Sequence, residues 1–78
     1  MSDENLIALV MATVRNNVPD NAQMFNLSVD FIKSAPEMVT AAAKIVHKGR
    51  KTMELDVEVK DMEDNLLVKA MATLLMGK

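Results

Sequence analysis

Hydrophobic and polar residues alternate strictly from Met53 to Lys60. Met53, Leu55, Val57 and Val59 fall on one side of an extended chain, and Glu54, Asp56, Glu58 and Lys60 on the other. A period of two held over this length predicts a strand with one dry and one wet face. The flanking segments, Lys48-Gly49-Arg50 and Asp61 to Asn65, are short enough for antiparallel hairpins. Leu66 to Met76 carries apolar residues on both faces, which predicts a strand inside a sheet. Upstream, Phe25, Leu27, Val29 and Phe31 alternate with Asn26, Ser28 and Asp30, predicting a strand over Met24 to Lys33. Val39 to His47 puts Val39, Ala41, Ala43 and Ile45 on one face. Its alanine run also suits a helix; the basic hairpin that follows favours a strand. Between these two strands Pro36, in Ser34-Ala35-Pro36-Glu37, breaks the chain because it cannot donate to a ladder.

The N-terminal segment has a different period. Leu6, Leu9, Val10, Thr13 and Val14 recur at helical spacing, and Ile7, Ala8, Met11 and Ala12 make the rest nearly apolar too. Ser2 or Asp3 caps the helix, Asp3 and Glu4 sit at the positive end of its dipole, and Asn16-Asn17 with Pro19 stop it. A helix apolar almost all round is one that is wrapped. The predicted order is α-β-β-β-β. It makes an α+β fold in which one central apolar helix is wrapped by an antiparallel four-stranded sheet, a single domain over residues 1–78.

Composition narrows the picture. With 78 residues, such a domain buries only roughly 60% of its unfolded surface. The chain has no cysteine, so disulfides and thiolate metal sites are excluded. Association with another chain remains as the added support, and a homo-oligomer is expected. The net charge is −2, with two Phe, no Trp and no Tyr. That offers nucleic acid neither a global attraction nor a stacking platform. The longest apolar run, Leu6 to Ala12, is too short to span a bilayer, and the Ser-Asp-Glu start lacks the basic region of a signal peptide. A cytoplasmic protein without membrane partners is the expectation. One histidine cannot build a metal site, and no catalytic triad or phosphate loop is legible.

Three stretches carry a family resemblance. Leu27 to Ala35 is similar to a strand that runs into an aromatic, a few residues and Pro-Ala. Ala43 to Thr52, with His47-Lys48-Gly49-Arg50-Lys51 at its turn, resembles a basic hairpin of the type V-x-H/K-x-G-[RK]. Leu66 to Thr73 resembles a closing strand. Together with the helix they resemble the PaaI-like acyl-CoA thioesterases of the hotdog fold, from about Ser2 to Met76. The resemblance implies hydrolysis of an acyl-CoA thioester in a tunnel at a dimer interface. It also implies that Met24 to Lys33 is an edge strand pairing with its twin. The strand region that precedes the helix in the family is absent here, which would leave Val39 to His47 as a second open edge.

The family's catalytic groups are replaced. Its helix starts with His-Gly-Gly, whose N–H groups hold the thioester oxygen; Ser2, Asp3 and Glu4 stand at the matching positions. Its carboxylate follows a Leu-Ala or Leu-Val pair; after Leu9-Val10 this chain has Met11. Methionine neither activates water nor attacks a carbonyl, and two acids at a helix start oppose a developing oxyanion. Asp3 and Glu4 are the remaining candidates for the acid, and their ordinary reading is charge matched to the helix dipole. His47, Lys48, Gly49, Arg50 and Lys51 are candidates for the phosphates of coenzyme A, the one cofactor-like group implied. Their ordinary reading is a solvated hairpin whose glycine supplies a positive φ. Asn26, Ser28 and Asp30 read as the wet face of a sheet. Three functions stay open: a thioesterase with weak or absent turnover, a non-catalytic acyl- or CoA-binding or purely assembling hotdog module, and an unrelated α+β dimer.

Overall fold

The computed structural model describes residues 2–76. One helix, α1 (Asp3–Asn16), is followed by four strands, β1 (Gln23–Phe31), β2 (Val39–Lys48), β3 (Thr52–Asp61) and β4 (Leu66–Leu75). The strands form one sheet in the order β1-β4-β3-β2, antiparallel at every junction. The last three strands are the expected meander. β4 is central, and β1 and β2 are the two edges.

Ser2 caps α1: its Oγ accepts the Asn5 N–H at 3.1 Å, and its carbonyl accepts the Leu6 N–H at 3.0 Å. At the other end Arg15 donates to the Ala22 carbonyl at 2.8 Å, tying the helix to the loop that enters β1. Leu6, Val10 and Val14 make the buried stripe, spaced by fours as a helix face requires. The helix packs mainly over β2 and β3. Its stripe joins Met53, Leu55, Val57 and Val59 of β3 and Leu67, Val68, Ala70, Ala72 and Leu74 of β4 in one cluster. Each fully buried side chain of this size contributes about 1.5–3 kcal/mol of hydrophobic stabilisation. Among the described residues none of the buried ones is polar or charged. Leu9 packs partly against the same core, but the sheet leaves the far side of the helix open: Ala8 and Ala12 are exposed, and Met11 is 42% exposed.

Three local features depart from the sequence pattern. In β1 the register passes from Met24↔Leu74 to Asn26↔Thr73, so Phe25 is the extra residue of a bulge and stands 69% exposed. Met24 takes the inward place expected of Phe25, and from Leu27 onward the alternation holds. In β2 a second bulge between Ile45 and His47 extrudes Val46. The third concerns the hairpins. Gly49 does not have a positive φ; that conformation falls instead on Asp64, at φ 71°, in the acidic turn.

Candidate functional site

The N-terminus of α1 and the end of β1 meet at one end of the sheet. There Asp3 and Leu6 from the helix, with Phe31, Lys33 and Ser34 from the strand end and the segment beyond it, line a cleft of about 440 Å³. The segment is held in place by the N–H groups of Ile32 and Lys33, which both donate to the Leu67 carbonyl, at 2.8 and 3.2 Å. Leu6, Phe31, Ile32 and Ala35 make the apolar part of the wall. Asp3, Lys33 and Ser34 bring a carboxylate, an ammonium and a hydroxyl to it. The N–H groups of the first helical turn precede the first intrahelical bond, and they carry the positive end of the dipole. Of the two acidic candidates, Asp3 lines the cleft and Glu4 does not. Met11 lies eight residues further along the helix than Asp3, or about 12 Å at 1.5 Å per residue.

The basic hairpin lies elsewhere. It joins the end of β2 to the start of β3, at the opposite end of the sheet and the opposite edge from the cleft. Lys48, Arg50 and Lys51 are exposed, and among the described residues none of them makes an ion pair. The Gly49 N–H is already donated to the Thr52 carbonyl at 2.8 Å. An anion at this turn therefore meets side-chain cations, not a glycine N–H. The His47 ring stands over the turn: its Nε2 is 3.5 Å from where a Cβ on Gly49 would sit, an ordinary contact. Within one chain the structure does not bring Asp3 and the hairpin together.

Two features have no signature in the sequence. In the sequence Lys33 is only the end of a strand and Ser34 the start of a break, because a cleft closed by a helix terminus has no local signature. The second is Asp56, on the outward face of β3. Its Oδ1 is shut off from water and has no hydrogen-bond partner. It lines a depression of about 270 Å³ with Ala42, Ala43, Lys44 and Glu58. No group of three or more metal-ligating side chains occurs among the described residues.

The acidic turn has its own electrostatics. Asp61 accepts the N–H groups of Glu63 and Asn65 through Oδ1, both at 2.9 Å, and the Asn65 side-chain amide through Oδ2 at 3.1 Å. The Asn65 N–H, then its side chain, hold the Asp61 carboxyl below its ordinary value of 3.8. Burial opposes them, and the Glu63 N–H and the Lys33 charge add lesser effects in the lowering direction. Lys33 lines the cleft, and its charge is also felt at this turn.

The chain belongs to the thioesterase superfamily, whose sequence pattern it matches over residues 6–68. Its fold is the hotdog fold of that superfamily. A Staphylococcus aureus thioesterase superposes with a TM-score of 0.82 at 22% identity, over 100% of this chain and 71% of that one. A Streptococcus mutans protein solved bound to acetyl CoA gives 0.82 at 23%, over 99% of this chain and 67% of that one. A Bacillus halodurans protein solved with CoA gives 0.79 at 18%, over 100% of this chain and 56% of that one. At such identities the likeness is one of fold. This chain spans between 56% and 71% of the length of these three structures. No curated protein matches the sequence. None of the helices described is long and apolar enough to cross a membrane.

Proposed function

We propose that this chain is an acyl-CoA-binding hotdog module with little or no thioester hydrolysis, working as a homodimer. The observation that carries the reading is the cleft at the helix N-terminus. Of the helix's acids only Asp3 lines it; on the resemblance drawn from the sequence, this is the end of the helix that holds the thioester oxygen, and Met11 stands at the carboxylate position. A thioester carbonyl placed there meets the N–H groups of the first turn together with the negative charge of Asp3. That arrangement opposes an oxyanion where an active enzyme supports one. Phe31 and Ile32, both partly exposed, give an acyl chain apolar contact along one side of the cleft.

Two-fold pairing of β1 with its twin supports the ligand assignment. Antiparallel pairing sets the cleft end of one protomer beside the hairpin end of the other. From β1 to the partner's hairpin is then three to four strand spacings, about 14–19 Å. An extended pantetheine arm covers that span, with the phosphates at Lys48, Arg50 and Lys51 of the partner. Acetyl CoA and CoA in the Streptococcus mutans and Bacillus halodurans structures are of the same ligand class.

The test is titration of acyl-CoA by calorimetry, beside thiol release followed with a chromogenic disulfide. We expect saturable binding and thiol release near background. Arg50→Ala should weaken binding roughly tenfold, about 1.4 kcal/mol, and flatten its salt dependence. Equal affinity in the variant removes the hairpin from the site, and no binding to the folded protein overturns the module. A second reading follows from Asp3 lining the cleft, namely that Asp3 is itself the general base. Turnover at the rate of an ordinary thioesterase that Asp3→Asn abolishes would establish it.

A further inference from the structure

The β2 edge has the features of a second, self-complementary interface. Between its start and its bulge, β2 runs Val39-Thr40-Ala41-Ala42-Ala43-Lys44-Ile45, with a single charge, no proline and, among the described residues, no strand on its outer side. Edge strands of monomers are ordinarily broken up by charges, prolines or bulges along their length. Here the bulge comes only at the end, and Ile45 is left 47% exposed. We propose that this edge pairs antiparallel with the same edge of a second copy, about a two-fold axis at Ala42. This interface is separate from the β1 pairing proposed above and does not rest on it.

The register follows from the sequence of the strand. A two-fold axis perpendicular to a continuous sheet sets each residue opposite one on the same face. Ala42 is the midpoint of the regular run from Val39 to Ile45, so centring there gives the greatest overlap before the bulge. On the inward face Val39 then lies opposite the partner's Ile45, and Ala41 opposite the partner's Ala43. The half-buried inward side of the strand becomes continuous with the partner's core, and the exposed Ile45 is covered. On the outward face Ala42 meets its twin, and Lys44 meets the partner's Thr40 instead of the partner's Lys44. The one charge that could hold the copies apart is thereby offset, and its neighbours on that face include Glu58 and Asp56. Centring two residues further along would set lysine against lysine. The helices agree with this register. Each packs mainly over β2 and β3, so the two-fold places their axes roughly two strand spacings apart, about 10 Å. That is an ordinary distance for packed helices.

The chain has no cysteine, so introduced thiols report the register without interference. Ala42→Cys should form a disulfide-linked dimer under mild oxidation, because directly opposite residues have Cα atoms about 4.5–5.5 Å apart, within disulfide reach. Lys44→Cys should link at least about tenfold more slowly, since its twin lies several residues away. The double variant Thr40→Cys with Lys44→Cys should link as readily as Ala42→Cys. Circular dichroism of each reduced variant confirms that the fold is retained. Equal linking rates for Ala42→Cys and Lys44→Cys overturn the proposal. So does a folded Ala42→Cys chain that reacts fully with a soluble thiol reagent and never links. That last result means the edge stays open or receives a strand of another kind.

Discussion

Asp56 is the residue least at ease in this structure. It has strand neighbours Glu54 and Glu58 on the same face, sits beside Lys44 without pairing to it, and keeps Oδ1 dry and unpartnered. A buried acceptor left unpaired costs about 1–3 kcal/mol, and aspartate is among the poorer strand formers. Asp56→Thr should therefore raise stability, by about 0.5–1.5 kcal/mol in urea unfolding. A loss of stability would mean that Asp56 has a partner in the assembled protein. Gly49 poses the reverse case. The sequence pointed to a glycine needed for its backbone, but its φ is not positive and a Cβ would meet only ordinary contacts at 3.5 Å. Gly49→Ala should leave the fold intact and add up to about 1 kcal/mol through the unfolded state, read from the same urea curves. Marked destabilisation would show that the turn needs the bare backbone after all.

Among the elements, the acidic turn between β3 and β4 is the one whose stability depends on a titrating group. The Asp61 carboxyl is held below 3.8 by the Asn65 N–H and amide and by the Glu63 N–H. A depressed carboxyl contributes stability that is complete above its unfolded value and is lost as the pH falls through its folded one. We expect the urea midpoint to drop as the pH goes from about 5 to about 2, and Asp61→Ala to lower the midpoint at neutral pH while flattening that acid limb. An acid limb unchanged in the variant would assign it to other carboxylates. The elements themselves were largely legible. The strict alternation of Met53 to Val59 and the fourfold spacing of Leu6, Val10 and Val14 are consequences of side chains facing one core, and the core fixes them. The bulges at Phe25 and Val46 were not legible, because both residues are apolar and alternation alone would place Phe25 inside. A bulge is decided by what the neighbouring strand offers, and that is tertiary information. The same holds for the candidate site. Asp3, Met11 and the basic hairpin could be picked out as residues. Their separation to opposite ends of one sheet, and the place of Lys33 in a cleft with Asp3, depend on strand order.

At the scale of the whole molecule, the sheet covers one side of an apolar helix, and among the described residues its β1 and β2 edges have no strand beside them. Met11, Ala8 and Ala12 stay open on the helix, and Phe31 and Ile32 stay open near the β1 edge. A chain that closes so little of its own surface should draw on a second copy for its stability. We expect the wild-type melting temperature to rise with protein concentration, as it must when folding and association are linked. If β1 and β2 each pair about their own two-fold axes, species beyond the dimer should grow at higher concentration, since alternating two-folds along one sheet extend it. Adjacent prolines test the β1 edge. In a strand successive N–H groups point to opposite sides, so one of Ser28→Pro and Val29→Pro removes a bond to β4 and the other removes one from the free edge. The first should unfold the chain for reasons internal to one protomer. The second leaves the ladder to β4 in place, so its loss of dimer, together with a fold that now survives only at high concentration, would locate the interface on β1. Sedimentation velocity with circular dichroism on the same samples reads both quantities. A folded wild-type monomer that melts cooperatively at micromolar concentration, with a melting temperature independent of dilution, would show that one sheet face is enough.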